Sequence, residues 1–75
     1  MDADSIIKEA LREILSTDVG ELLDDTNLVS DGYIDSLESL RLLFIIEKKL
    51  GRKIYEDHEL SLDSFNVSEL KKRMA

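Results

Sequence analysis

The chain contains no cysteine, no proline and no tryptophan, and only three glycines, at positions 20, 32 and 51. Without cysteine, neither a disulfide framework nor a thiolate metal site can reinforce the fold. Without proline and with so little glycine, a turn-rich β domain is disfavoured against helices joined by a few punctuated loops. No apolar run approaches membrane-spanning length, and no cationic stretch followed by an apolar segment opens the chain. The expectation is a soluble, cytoplasmic protein with no membrane insertion. Positive charge is missing from one long stretch: between Thr17 and Leu40 there are seven acids (Asp18, Glu21, Asp24, Asp25, Asp31, Asp35 and Glu38) and no base. The bases gather at Lys48, Lys49, Arg52 and Lys53 and at Lys71, Lys72 and Arg73, and the net charge is −7. Such a field repels nucleic acid and attracts basic protein surfaces.

What is present is enough for one small domain, residues 1–75, near the lower limit for a self-sufficient core. Ile6, Ile7, Ala10, Leu11, Ile14 and Leu15 recur at helical spacing, which predicts a first helix over about residues 4–16 with Asp4 or Ser5 as its cap. Residues 17–35 form a long connection with apolar anchors at Val19, Leu22, Leu23, Leu28, Val29, Tyr33 and Ile34. A connection this long in so small a domain calls for a function or for internal packing. A capping box, Asp35 with Glu38 three residues on, opens the next helix. Gly51 is its C-cap, and Lys48 and Lys49 suit the negative end of its dipole. A short helical turn can form around 57–62. A last helix follows, with Asn66 or Ser68 near its cap and Val67, Leu70 and Met74 facing inward. The fold class is all-α: a small four-helix bundle of three main helices and a short third one, expected as a monomer.

Helical phase sorts the residues of the Asp35-capped helix. At about 100° per residue, Leu42, Leu43, Ile46 and Leu50 fall on one arc with Leu40 at its margin, and these read as core. Leu37 and Phe44, a heptad apart, share a different arc with Arg41 and Lys48. That pair reads as a docking patch beside Ser36, with cover of Phe44 by the 17–35 connection as the alternative.

Ser36 follows the cap of that helix. Free N–H groups and the positive dipole end of a helix N-terminus favour an attached phosphate. Nothing in the sequence activates this serine: the only histidine is His58, and neither a Gly-x-Ser-x-Gly elbow nor a Ser-x-x-Lys pair is present. A serine without a base is a poor nucleophile in its own right and a good acceptor for a modifying enzyme. Read from the residues alone, Ser36 is either an ordinary helix-start serine or a modification site.

Asp35-Ser36-Leu37, preceded by Gly32 and an apolar pair and followed on the same helix by Glu38 and Glu47, resembles the attachment site of the acyl carrier protein family. The layout over the whole chain is similar too. That resemblance implies a non-enzymatic carrier with no catalytic residues, whose Ser36, with Asp35 beside it, bears 4′-phosphopantetheine. A magnesium-dependent phosphopantetheinyl transferase would add the group from coenzyme A. The arm's thiol would then carry acyl or aminoacyl groups as thioesters between acyl- or aminoacyl-loading and acyl-transferring enzymes. The absence of cysteine fits this, since no intrinsic thiol competes for the cargo. Family carriers are recognised through acids on the second helix, which Glu38 and Glu47 match, and Leu37, Glu38, Arg41, Phe44 and Glu47 become the expected partner contacts.

Departures from the family pattern are informative. Arg41, Lys48 and Lys49 stand where housekeeping fatty-acid carriers place acids or neutral residues, leaving three bases against two acids on this helix. Like-charge contacts with basic partners cost affinity and slow association, so the resemblance points to a specialised lipid- or polyketide-type pathway. Asp35 differs from the Gly-His-Ser type of peptidyl carriers, although stand-alone D-alanyl and other aminoacyl carriers use Asp-Ser. The rival reading is an unmodified helical interaction module. No metal site is expected, because Asp24–Asp35 lacks the alternating order of an EF-hand loop. His58 reads as a surface residue, Tyr33 and Phe65 as anchors, and the 48–53 bases as a solvated helix end.

Overall fold

The computed structural model describes residues 2–75. Helix α1 spans Ala3–Leu15, α2 spans Ser36–Leu50 and α3 spans Val67–Met74, with two 3₁₀ turns, Asp57–Glu59 and Leu62–Phe65, between α2 and α3. The first helix starts earlier than its apolar pattern suggests. Its cap is Asp2, whose Oδ1 accepts from the Ser5 N–H at 2.8 Å, so Asp4 and Ser5 lie inside the first turn. It ends on Ser16 in the left-handed region, at φ 59°, with the Ser16 N–H donating to the Arg12 carbonyl.

The second helix has the expected bounds. Asp35 Oδ1 accepts from the Glu38 N–H (2.8 Å) and Glu38 Oε1 from the Asp35 N–H (3.0 Å), which completes the capping box. Gly51, at φ 75°, closes the other end by donating to the Glu47 carbonyl. The expected short third helix is instead the two 3₁₀ turns. Leu60 and Ser61 between them are extended, so neither turn can propagate into the other.

The core runs through all three α-helices and the long connection. Ile7 and Leu11 of α1, Leu42 and Ile46 of α2, Val67 and Leu70 of α3 and Leu28 of the long connection are fully buried. The connection packs Leu22, Leu28 and Ile34 inward and leaves Leu23 exposed, so it is an anchored segment with few free stretches. It is also stitched to the start of α3. The Leu28 N–H donates to the Phe65 carbonyl (3.0 Å), the Val67 N–H to Thr26 (2.9 Å) and the Ser68 N–H to Asp24 (3.1 Å).

One residue organises this seam. Asn27 is buried; its Nδ2 donates to the Leu62 carbonyl (2.9 Å) and to Asn66 Oδ1, separated by 2.6 Å, while its Oδ1 accepts from the N–H groups of Val29 and Ser30. Its own N–H donates to Asp31 Oδ2 at 3.0 Å. Asn66 therefore occupies the cap position of α3, but its side chain is turned to Asn27 and makes no cap bond. The first two N–H groups of α3, those of Val67 and Ser68, are met by the Thr26 and Asp24 carbonyls instead.

Further contacts fix the 51–60 segment. Glu47 Oε2 accepts from the N–H groups of Ile54 (2.8 Å) and Tyr55 (3.4 Å). Arg52 reaches the last carbonyls of α3, with Nη2 2.9 Å from the Met74 oxygen, so one of the bases read as a solvated helix end is a C-terminal cap. Arg73 stacks over the Tyr55 ring at 4.7 Å and pairs with Glu59 at 2.8 Å. Burial pushes the Tyr55 hydroxyl up from its ordinary value. The Glu56 N–H, with Arg73 beside it, holds Glu59 below the usual range.

Candidate functional site

The N-terminus of α2 is built by Asp35. With its carboxylate on the Glu38 N–H and the Glu38 carboxylate on its own N–H, the chain leaves the 17–35 connection and turns helical without help from any other element. Ser36 is then the first helical residue, and the first intrahelical bond is the one from the Ser39 N–H to the Asp35 carbonyl at 2.9 Å. The N–H groups of Ser36 and Leu37 precede that bond and are the open donors of this helix start. Ser36 is exposed, and no side chain hydrogen-bonds its hydroxyl among the described residues.

Beneath Ser36 lies a cleft of about 270 Å³, open to solvent and lined by Val29, Leu40, Leu60, Leu62 and Phe65 together with Ser36, Ser39 and Ser61. Sequence reasoning missed Ser39. It is buried, and its Oγ donates to the Ser36 carbonyl at 2.6 Å. Phase could have found it: Ser39 sits at the centre of the arc formed by Leu42, Leu43, Ile46 and Leu50, whereas Leu40 lies about 100° away and is exposed. A small hydroxyl residue in that apolar stripe leaves room for the cleft. Leu60, between the 3₁₀ turns, and Leu62, at the start of the second, were missed as its walls, because that segment is placed by the Asn27 seam.

The remaining expected contact residues divide by environment. Leu37 is 80% exposed and Phe44 is 65% exposed, so the long connection covers neither. Arg41 and Lys48 are exposed and form no ion pair among the described residues. Lys49, counted with them from the sequence, belongs elsewhere: its ammonium lies 3.1 Å from Glu13 and 3.9 Å from Glu9 and ties α2 to α1. Glu38 and Glu47 are half-buried, each with one carboxylate oxygen on backbone N–H groups of the chain itself. His58 is exposed in the first 3₁₀ turn. Among the described residues, no cluster of three His, Asp or Glu side chains could hold a metal ion, and no helix is long and apolar enough to cross a membrane.

Residues 5–60 match the family described as the phosphopantetheine attachment site. The chain belongs to the acyl carrier protein family. A curated relative, polyketide-8 synthase acyl carrier protein 2 of Streptomyces avermitilis, is 31% identical over 58 residues, covering 77% of this chain and 67% of that protein. No solved structure matches significantly. Membership in the acyl carrier protein family means a 4′-phosphopantetheine group covalently held on a serine, a non-catalytic role, and interaction with a phosphopantetheinyl transferase and with biosynthetic enzymes. The all-helical fold is that of a small acyl carrier protein. An unmodified interaction module finds no support in either comparison.

The α2 start fits such a group. An exposed hydroxyl with two open backbone donors beside it can accept a phosphodiester and stabilise its charge. The nearest carboxylates that would oppose that charge, Asp35 and Glu38, are each held on a backbone N–H by the capping box.

Proposed function

We propose that Ser36 is the serine that carries 4′-phosphopantetheine, and that the chain is an acyl carrier of a specialised, polyketide-type pathway. One observation carries this reading: Ser36 is an exposed first-turn serine at a helix start whose own cap leaves its N–H groups free. The bound arm supplies a terminal thiol on which acyl groups travel as thioesters. The chain's own residues do the rest. Asp35 and Glu38 hold the helix start rigid, Ser39 anchors the Ser36 carbonyl, and the open N–H groups of Ser36 and Leu37 would stabilise the charge of a phosphate attached there. Because no base of the chain hydrogen-bonds the Ser36 hydroxyl, its proton must be removed by the transferase. Leu37, Arg41 and Phe44 form the contact face for the transferase and client enzymes, with Glu38 and Glu47 at its margins. The polyketide assignment rests on the similarity to the Streptomyces carrier.

The test is incubation with coenzyme A, magnesium and a broad-specificity phosphopantetheinyl transferase, followed by an intact mass. The expected result is one added phosphopantetheine on the wild type and none on Ser36→Ala. An equal mass gain in Ser36→Ala would reject Ser36 as the site.

A further inference from the structure

The long connection holds a reactive pair of residues that the carrier function does not use. Of the chain's nine aspartates and two asparagines, Asp31 alone precedes a glycine. Such an aspartate is open to attack on its side chain by the next backbone nitrogen, because glycine has no Cβ to shield that nitrogen. Both residues are exposed, Gly32 lies at φ 83°, and nothing stands within 4 Å of the place its Cβ would take. Solvent reaches the bond and no neighbour blocks it. What restrains the pair is hydrogen bonding. Asp31 Oδ2 accepts from the Asn27 N–H at 3.0 Å, and the Asp31 N–H donates to the Asn27 carbonyl at 2.9 Å. The Gly32 N–H donates to the Val29 carbonyl at 3.1 Å. Electrophile and nucleophile are thus held by different partners. Both partners depend on the Asn27 side chain, which bonds the Val29 N–H and anchors Asn27 itself on Leu62 and Asn66.

We propose that Asp31–Gly32 is a self-modification site, which forms isoaspartate at a rate set by opening of the Asn27 contacts. The Gly32 nitrogen bonds to Cγ of the protonated Asp31 carboxyl. The Cγ–OH bond breaks, and the hydroxyl leaves with the Gly32 amide proton as water. A second water then opens the five-membered imide at one of its two carbonyls. Opening at Cγ restores aspartate. Opening at the main-chain carbonyl gives isoaspartate, whose backbone runs through Cγ and is longer by one methylene. The steps need only the chain and water, and nothing is oxidised or reduced. The freed α-carboxylate is the methyl acceptor of isoaspartyl methyltransferases, with S-adenosylmethionine as donor. Global unfolding is not required, because exposed hydrogen-bonded turns open locally at lower cost than the whole domain. The added methylene falls inside the loop that the Tyr33 and Ile34 N–H groups close on the Leu28 carbonyl, at 3.0 Å each. Isomerisation therefore disturbs the Asn27 seam in its turn.

The full chain, its Asn27→Ala variant and a synthetic peptide of residues 24–37 are aged together at 37 °C and neutral pH for ten half-lives of the peptide. Isoaspartate is counted by methyl transfer from labelled S-adenosylmethionine with an isoaspartyl methyltransferase, and located by electron-transfer fragmentation. The wild type is expected to accumulate it at residue 31, several-fold more slowly than the peptide. Asn27→Ala should form it at least threefold faster than the wild type. A core variant of matched urea midpoint, such as Leu11→Ala, should accelerate it less. Gly32→Ala should suppress it at least tenfold; because φ 83° strains an alanine, the same change in the peptide gives a second reading. The isomerised fraction should lose hydrogen-exchange protection at the Asn27 and Asp31 amides. Absence of isoaspartate from the wild type overturns the proposal, as does a larger yield at Asp35–Ser36 than at Asp31–Gly32. Equal acceleration in Asn27→Ala and the matched core variant overturns it too, since the gate would then be global unfolding.

Discussion

The starts of α2 and α3 both place a serine in the first turn, and they are sealed in opposite ways. At α2 the cap is local: Asp35 and Glu38 exchange bonds, no other element among the described residues hydrogen-bonds the turn, and the N–H groups of Ser36 and Leu37 stay open. At α3 the seal is tertiary. The Val67 and Ser68 N–H groups are taken by Thr26 and Asp24 carbonyls, and the would-be cap Asn66 faces Asn27. Ser68 is exposed as Ser36 is, yet its own amide is already bonded. A helix start held by its own cap can accept a phosphate; one stitched to a neighbouring segment has its first two donors already taken.

The comparison predicts unequal costs. Asn27→Ala should be the most damaging, because it leaves the Leu62 carbonyl, Asn66 Oδ1 and the Val29 and Ser30 N–H groups without their partner. Unsatisfied buried groups cost about 1–3 kcal/mol each at most sites, and with partial access to water we expect a total loss of about 2–4 kcal/mol in urea denaturation. Asp35→Ala should cost about 1 kcal/mol, the usual value of an N-cap, and should leave the chain modifiable at a reduced rate. If Asp35→Ala proved as destabilising as Asn27→Ala, the distinction between a local and a tertiary seal would collapse.

The start of α1 adds a smaller, pH-dependent test. Like α2 it is capped by a carboxylate, and the Ser5 N–H holds Asp2 below the usual carboxylate range. A group whose folded value is lowered stabilises above its unfolded value, about 3.9, and that contribution is lost as pH falls through the folded value. The Ser5 amide resonance should therefore titrate with a midpoint below about 3.9, while the Val67 and Ser68 amides, bonded to backbone carbonyls, should not follow it. A Ser5 midpoint at or above that value would mean the Asp2 cap does not form.

Much of this was legible in the sequence where the signal is local. The Asp35–Glu38 box, Gly51 and the period of Leu42, Leu43 and Ile46 place α2, and Ser36 follows from its position behind the cap. The first cap was misplaced because Asp2, Asp4 and Ser5 are all competent caps and the choice depends on two turn residues without apolar signal. What stayed hidden is long-range. Asn27 and Asn66 lie 39 positions apart and meet at 2.6 Å, which no periodicity reports. The same holds for Lys49 with Glu13 and for Glu47 with Ile54: charge counting saw three bases and two acids on α2, whereas their partners decide which of them face outward.

The central claim is that, of the chain's eight serines, the one at the locally capped start of α2 bears the arm. Fragmentation mass spectrometry of the coenzyme A-modified protein tests it most directly. The account predicts the phosphopantetheine mass on Ser36 alone, with Ser39 and Ser68 unmodified; the same mass on Ser68, at the sealed start of α3, would contradict it.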